Sequence, residues 1–232
     1  MVSLKIDVHT HTVYSDGRGT VREVLKIAKL KGLNGLAITD HDSLRGYFEA
    51  KLYDSGLLVV PGYEVDTDAG HVLVLGLEFL PSETEHIRYE SLIEWVRRAN
   101  GLTILAHPAA GKTSINRWMQ CKPDAIEVLN ALYPLYGYFV RRSLNIASKL
   151  GVPMVGGSDA HNPQSVGDSY TIVKSDNLSF EDLIEAFKRG DVYFGGGLSP
   201  LSSRLKTGLE YMVSAVVSHV GEGSKWPTTM KS

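Results

Sequence analysis

Short apolar runs that each end in a histidine or a carboxylic acid recur along this chain. Residues 4–8 form the first run and lead into His9 and His11, and Asp159 and His161 repeat that spacing far down the chain. In an extended strand, positions i and i+2 lie on one face, so each pair can hold one cation. A single His-x-His pair could equally be two hydrogen-bonded histidines. Two such pairs at strand ends favour a metal site.

Three further apolar runs end in the same way. His41, Glu64 and His107 follow the runs at residues 35–38, 57–60 and 102–105. Buried parallel strands are continuous apolar runs, and the loops at their carboxyl ends carry the polar groups of many enzymes. The histidines near such ends are His9, His11, His41, His71, His107 and His161. His86 and His219 are not, and we interpret them as structural.

Strand-like and helical segments alternate at about 25 to 35 residues per unit, the interval expected of βα repeats. Strands are predicted at residues 4–8, 35–38, 57–60, 72–75, 102–105, 125–128, 153–155 and 170–173. Thr20 and Glu23 form a capping-box pattern that opens a helix, and Gly32 closes it. Further helices are predicted at 85–99, 136–150 and 179–189.

The alternation predicts an α/β fold with a parallel sheet. A doubly wound open sheet normally carries a glycine-rich loop after its first strand, and none is present here. Potential ligands at many strand ends instead favour a closed barrel, whose loops converge on one mouth. Turn residues at 66–70 predict a hairpin that would return His71 toward Glu64.

The length and net charge of the chain limit its possible domain organisation and its possible substrates. The 232 residues are 43% hydrophobic and 22% charged, an ordinary globular composition. We expect one domain over residues 1–200 and a C-terminal extension over 201–232, with a packed helix and then a loose tail. The formal net charge is −2 and no Lys/Arg block occurs, which favours a small or short substrate over duplex nucleic acid.

Cysteine content and hydropathy give an expectation for the cellular compartment of the protein. The single Cys121 excludes an internal disulfide framework and a thiolate zinc site built by this chain alone. No apolar leader follows Met1, and the longest apolar run near the end, residues 211–217, is too short to span a bilayer. We therefore expect a soluble, cytoplasmic protein with no membrane partner.

The ordered set of motifs resembles the PHP family (polymerase and histidinol phosphatase) over residues 4–200. The motifs are His9-Thr10-His11, Ser15-Asp16-Gly17, Thr39-Asp40-His41, Gly62-Tyr63-Glu64, Gly70-His71, Ala106-His107-Pro108 and Gly157-Ser158-Asp159-Ala160-His161. The resemblance implies a distorted TIM-like (β/α)7 barrel with up to three divalent metals at the carboxyl ends of the strands. It also implies hydrolysis of phosphate esters.

Carried over residue by residue, the resemblance implies three ligand groups. The first is His9, His11, Glu64 and Asp159, the second is Glu64, His71 and His107, and the third is Asp16, His41 and His161. Glu64 would bridge the first two, and we expect Glu64, Asp159 and His161 to carry the catalysis. Asp40 resembles an acid beside the ligands, where a carboxylate can fix the tautomer of an imidazole.

The donor types predict the metals independently. Imidazoles and carboxylates without thiolate suit Mn²⁺, Fe²⁺ or Zn²⁺ and disfavour a pure oxygen cage for Ca²⁺ or Mg²⁺. We expect two or three divalent ions. Two cations about 3.5 to 4 Å apart can lower the pKa of a bridging water and polarise the phosphoryl oxygen that it attacks. This chemistry predicts a phosphoesterase that uses a metal-activated hydroxide and no protein nucleophile.

Several residues allow two interpretations. Asp16 precedes Gly17 and could be a turn residue, but its place five residues after His11 favours a ligand. Lys112, Arg117 and Arg45 could bind a substrate phosphate, although we favour surface solvation for them. For the remaining residues we favour a cap for Asp42, solvation or contact with a ligand for Asp7, and packing for Tyr133, Tyr136 and Tyr138.

The leading functional hypothesis is a metal-dependent phosphatase acting on a small phosphomonoester, such as a nucleotide or a sugar phosphate. A nuclease acting on short single-stranded ends and a histidinol phosphatase are the alternatives within the family. An amidohydrolase-like C–N hydrolase also begins with His-x-His, but commonly needs a carbamylated lysine where Glu64 stands here. A non-catalytic, metal-stabilised module is the alternative outside enzymes, although a complete ligand set favours activity.

Overall fold

Strands and helices alternate along most of the chain in the computed structural model, which describes residues 2–82, 87–110 and 114–204. The described strands are β1 (Val2–Asp7), β2 (Gly35–Ile38), β3 (Leu58–Thr67), β4 (Gly70–Leu75), β5 (Leu102–Leu105), β6 (Ala125–Asn130), β7 (Met154–Gly157), β8 (Ser169–Ser175) and β9 (Val192–Gly196). The described α-helices are α1 (Val21–Leu30), α2 (Arg45–Ala50), α3 (Tyr89–Arg98), α4 (Ile115–Gln120), α5 (Tyr136–Leu150) and α6 (Phe180–Arg189).

All these strands belong to one sheet, in the order β7-β6-β5-β4-β3-β2-β1-β8-β9. β1, β2 and β3 are parallel to one another, as are β5, β6 and β7. β4 runs antiparallel to both of its neighbours, β3 and β5, and β8 is antiparallel to β1. The predicted hairpin is therefore confirmed, since Asp66 pairs with His71 across it.

The sheet curls until its two ends nearly meet. The Gly156 N–H in β7 lies 3.3 Å from Thr171 Oγ1 in β8, and that hydroxyl lies 2.9 Å from the Gly156 carbonyl oxygen. A Cβ on Gly156 would lie 2.8 Å from Ser169 Oγ, so this approach requires glycine. The predicted α/β barrel is confirmed, as a nearly closed sheet with helices outside it, but the sheet is mixed where a parallel one was predicted.

The inside of the barrel is filled by apolar side chains. One buried cluster joins inward-facing residues of every strand, including Leu4, Ala37 and Ile104, to Leu183 and Phe187 of α6. Because alternate side chains of a strand face opposite sides, the outward residues of β2 pack against α1 instead. The barrel is therefore a packed core, and polar chemistry is confined to its ends.

The predicted strands and helices are present, several with shifted ends, and three of the described strands and α-helices were not predicted. α2 and α4 have six residues each, too short for a helical period to be read from the sequence. β9 ends in consecutive glycines, which resemble a loop composition. Of the predicted helix at 85–99, residues 85 and 86 lie outside the described residues, and α3 covers Tyr89–Arg98.

Contacts divide the chain into two compact units, Met1–Ser199 and Pro200–Ser232. In the second unit the structure describes a short helical turn at residues 201–204, so the expected extension over 201–232 stays a prediction. None of the described helices combines the length and hydropathy that crossing a bilayer requires.

Thr20→Ala should destabilise the protein by about 1 kcal/mol, since Thr20 caps α1. Glu23 donates its backbone N–H to Thr20 Oγ1 at 3.3 Å, and the Thr20 N–H donates back to Glu23 Oε2 at 2.9 Å. Urea unfolding measures the change. Lys26→Ala, on the exposed face of the same helix, is the control and should stay within about 0.5 kcal/mol of the parent. Equal losses in both variants would contradict the capping role.

Candidate metal centre

The register of the sheet brings the two spaced pairs together. Thr10 and Ala160 form a parallel bridge just beyond β1 and β7, so the residues on either side of them face one another. The Asp159 N–H donates to the His9 carbonyl oxygen at 2.8 Å, and the His11 N–H donates to the Ala160 carbonyl oxygen at 3.0 Å. The i, i+2 spacing read from the sequence thus becomes one shared surface at the mouth of the barrel.

Four side-chain atoms converge on one point of this surface. His9 Nε2 and His11 Nε2 lie 3.1 Å apart, and each lies 3.2 Å from Glu64 Oε2 and 3.4 Å from Asp159 Oδ1. His9, His11 and Glu64 are almost completely buried. Two imidazole nitrogens and two carboxylate oxygens with one focus have the donor chemistry of a divalent transition-metal site.

The other oxygen of Glu64 faces a second group. Glu64 Oε1 lies 2.8 Å from His71 Nδ1 and 3.2 Å from His107 Nε2. His41 pairs with Glu64 in a parallel bridge, and its Nε2 lies 3.6 Å from Oε2. Glu64 therefore presents one oxygen to each of two neighbouring groups of imidazoles, which is the geometry of a bridging carboxylate.

The third predicted group also comes together, around Asp16. Asp16 Oδ2 lies 3.0 Å from His161 Nε2 and 3.7 Å from His41 Nε2. Asp16 Oδ1 lies 3.4 Å from His11 Nδ1, so this group adjoins the first one. Asp16 belongs to a loop that fits tightly, because a Cβ on Gly17 would lie 2.5 Å from the His11 carbonyl carbon. All nine predicted ligand residues lie in one cluster, and their role as ligands is a proposal made below.

The histidines and carboxylates of the cluster shift one another's pKa values. Burial disfavours a charge on His11, but Asp159 and Glu64 outweigh it and raise its pKa to about 10. Burial would raise the pKa of Glu64, but the surrounding histidines hold it well below its usual range. His9, His11 and His71, whose pKa values are raised, therefore hold protons where a cation would otherwise lie. Because metal binding must displace such protons, metal affinity should rise with pH.

Glu127 is a candidate functional residue that sequence reasoning missed. It lies on β6, fully buried, with Oε1 3.1 Å from His9 Nδ1 and Oε2 accepting the backbone N–H of His107 at 2.8 Å. An ionised carboxylate only accepts, so His9 Nδ1 must donate, which leaves Nε2 free to act as a ligand. The signal was available, because a glutamate within the apolar strand 125–129 contradicts that strand's composition.

Two further polar residues hold the same loops. Asn130 Nδ2 lies 3.0 Å from Glu127 Oε2 and 3.1 Å from Asp159 Oδ2, and so joins β6 to the loop after β7. Asp7 accepts backbone N–H groups of His9, Ser158 and Gly167, and burial raises its pKa to about 6. Asp7 is therefore not solvated: it fixes the backbone on which His9 and Asp159 stand.

Asp40 is linked to an imidazole through Ser15. Its carboxylate accepts the N–H and hydroxyl of Thr12 at 2.7 and 2.6 Å and the hydroxyl of Ser15 at 2.8 Å. Ser15 Oγ in turn lies 3.5 Å from His11 Nδ1. The predicted effect on a tautomer would therefore pass through Ser15, and the main contact of Asp40 is with the loop that carries Asp16.

Two residues of the cluster have unusual backbones. His107 and Asp159 have φ values of 25° and 52°, in the region that L-residues rarely adopt. Such conformations persist only where the surroundings enforce them. The hydrogen bonds from the His107 and Asp159 N–H groups, to Glu127 Oε2 and the His9 carbonyl oxygen, provide that enforcement.

The three predicted substrate contacts have different surroundings. Arg117 donates to Glu90 at 2.6 and 2.7 Å and to Asp68 at 2.8 Å, so these carboxylates already use much of its guanidinium. Arg45 is exposed and lies over the ring of Tyr14, 4.6 Å from its centroid. Lys112 lies outside the described residues, as do His86 and His219. Tyr133 is buried, whereas Tyr136 and Tyr138 are exposed.

Comparisons with known proteins agree with this geometry. Residues 7–122 match the PHP domain, and residues 137–192 match the PHP-associated domain. The chain belongs to the PHP family. It is a metal-dependent phosphoesterase, a hydrolase, and its cluster of histidine, glutamate and aspartate side chains fits divalent metals.

The chain is also similar to individual proteins. An uncharacterized protein of Methanocaldococcus jannaschii is 34% identical over 146 residues, which are 56% of this chain and 84% of the relative. The phosphoribosyl 1,2-cyclic phosphate 1,2-diphosphodiesterase of Eggerthella lenta is 39% identical over 80 residues, 31% of this chain and 30% of that enzyme.

Solved structures share the fold. A two-domain protein of Bacteroides vulgatus containing a predicted PHP-like metal-dependent phosphoesterase superposes with a TM-score of 0.71 at 20% identity. The match covers 84% of this chain and 65% of that protein, so the chain corresponds to about two thirds of it.

Glu127→Gln should weaken metal affinity about 10- to 100-fold, because the carboxylate that orients His9 is replaced by a neutral amide of equal size. Titration of the metal-free protein with Mn²⁺ or Zn²⁺ measures the affinity. Glu94→Gln, exposed on α3, is the matched control and should bind metal like the parent. If Glu127→Gln also bound like the parent, Glu127 would have no influence on the ligands.

Proposed function

We propose that this chain hydrolyses small phosphomonoesters, such as nucleotides or sugar phosphates, with two or three divalent metal ions held by the clustered residues. The observation that carries the proposal is the divided carboxylate of Glu64. One oxygen faces His9 and His11 and the other faces His71 and His107, all within 3.2 Å. A carboxylate so placed could contribute one oxygen to each of two cations, and paired cations would supply the chemistry of phosphoester hydrolysis.

The proposed ligands are the three groups described above. His9, His11, Glu64 and Asp159 would form the first, Glu64, His71 and His107 the second, and Asp16, His41 and His161 the third. When bound, Mn²⁺, Fe²⁺ or Zn²⁺ would polarise the phosphoryl group and activate water at neutral pH. The catalytic residues would be Glu64, Asp159 and His161, which belong to these groups and would contact the bound ions directly.

The remaining residues orient the ligands. Glu127 accepts from His9 Nδ1, so His9 presents only Nε2 to the centre. Asn130 holds Asp159 Oδ2, so Oδ1 faces the imidazoles of His9 and His11. This preorganisation supports catalysis because the donors need not rearrange when the substrate arrives.

Glu64→Gln should lower the turnover number by about a hundredfold or more, since an amide cannot hold two cations as a carboxylate does. The parent should contain two or three metal ions and lose activity to chelators. Elemental analysis and a phosphatase assay on the same preparation measure both. Glu94→Gln should match the parent. A parent with less than one ion per chain and full activity would contradict the proposal.

The substrate itself is found by a screen. Nucleotides, sugar phosphates and histidinol phosphate, each tested on metal-loaded protein, cover the small phosphomonoesters that the proposal names. Absence of activity on all of them, in protein with its full metal content, would contradict a phosphomonoesterase and favour a different phosphoester.

A second candidate, hydrolysis of short single-stranded nucleic acid ends, is favoured by one surface. Residues 131–158 contain no acidic side chain, and α5 within them carries Arg141, Arg142 and Lys149 beside the exposed Tyr138. These four residues line a cavity of about 380 Å³. Cations beside an aromatic ring suit a single strand, because its bases can stack on the ring while its phosphates pair with the cations.

Mononucleotides should be hydrolysed in preference to a long duplex at equal phosphate concentration, since the net charge is −2 and few cations are available for many phosphates. A short single-stranded oligonucleotide is the third substrate. Arg141→Ala should leave mononucleotide hydrolysis unchanged. A loss of about fivefold or more with the oligonucleotide alone would favour the second candidate. Preference for the duplex would contradict both.

A further inference from the structure

A cavity of about 430 Å³ opens directly onto the second ligand group. It lies between the turn that joins β3 to β4, the loop that follows β5, and α4, and its lining includes His71 and His107. Leu105, Pro108 and Trp118 contribute apolar walls. A phosphoester whose phosphate reaches these histidines would have room for its leaving group in this cavity.

The walls of this cavity are preformed. Trp118 is buried and donates its Nε1–H to the Ala69 carbonyl oxygen at 2.9 Å. Arg117 joins Asp68 at the turn to Glu90 on α3, with N–O distances of 2.8 and 2.6 Å. The β3–β4 turn is thus tied to α3 and α4, which supports a structural role for Arg117. A pocket held in this way can select by shape and charge without first being ordered.

Asp66 places a negative charge at the rim. It follows Glu64 by two residues on β3 and pairs with His71 across the hairpin, so the three side chains lie on one face. Its Oδ1 lies 3.4 Å from His71 Nε2, and its side chain is 76% exposed. Apart from the histidines, Asp66 and Asp68 carry the only full charges among the described lining residues, and Arg117 already pairs with Asp68.

We propose that Asp66 selects the leaving group of the substrate, accepting hydrogen bonds from a hydroxyl or ammonium group and repelling a second anion. This inference rests on the proposed phosphomonoesterase function. The physical reason is that a carboxylate pairs only with donors, whereas an anion at about 4 Å is repelled even in a partly aqueous setting. The substrate class is therefore a phosphate ester of a polyol or amino alcohol whose far end carries no carboxylate or phosphate.

A matched pair of substrates tests the proposal. Glycerol 3-phosphate and 3-phosphoglycerate have the same length and differ at the end remote from the phosphate, which is a hydroxymethyl group in one and a carboxylate in the other. The kcat/KM of each is measured with the parent, Asp66→Asn and the control Asp54→Asn, all loaded with metal. Asp54 is exposed in the loop before β3. Metal content is measured for every preparation.

The parent should prefer glycerol 3-phosphate. Asp66→Asn should reduce that preference about tenfold by improving the reaction of 3-phosphoglycerate, at a metal concentration that saturates both proteins. Asp54→Asn should retain the parent's preference. An unchanged preference in Asp66→Asn would overturn the inference. So would an equal loss for both substrates together with loss of metal, because Asp66 would then act only by positioning His71.

Failure of the proposed function has a different signature. If the parent hydrolyses neither compound, calorimetric titration of both into the metal-loaded proteins measures the ratio of their Kd values. A ratio that shifts in Asp66→Asn alone would support the role of Asp66, whereas the screen described above decides phosphomonoester hydrolysis. Failure of both compounds to bind the parent would reject both proposals.

Discussion

The buried carboxylate of Glu64 is the interaction on which the functional end of this protein depends. The carboxylate is almost completely buried from solvent, and it contacts four imidazoles within 3.2 Å. A buried charge is costly unless it is paired, so the cluster around Glu64 is assembled as a unit or not at all. Protonated histidines can balance it, but divalent cations balance it better and are what the donor set suits.

The rest of the fold positions this unit. Apolar side chains fill the barrel as far as α6 at the other end, so the polar residues gather at the carboxyl ends of the strands. There Glu127, Asn130 and Asp7 tie β1, β6 and the loop after β7 together. The same hairpin that brings His71 to Glu64 also carries Asp66 to the rim, so the proposed chemistry and its proposed selectivity share one element.

Much of this was predictable because the information is local. The capping box at Thr20 and the turn at 66–70 depend on residues close in sequence, and each has the predicted conformation. The two i, i+2 pairs do face one another, although Asp159 has a positive φ where an extended strand was predicted. α2, α4 and β9 were missed because their sequences are too short or too rich in glycine to show a period. Glu127 was missed because its partners, His9 and His107, are 118 and 20 residues away.

The sequence alone determined the alternation of most strands and helices, the PHP family and the identity of the nine clustered residues, since apolar periodicity and motif spacing are properties of the sequence. Only the tertiary structure decided which oxygen of Glu64 faces which imidazoles. Only the tertiary structure paired Arg117 with Asp68 and Glu90 and left Asp66 at the mouth of a cavity. The physical reason is that sheet register and closure set distances between residues far apart in sequence, and hydrogen bonds and ion pairs depend on those distances.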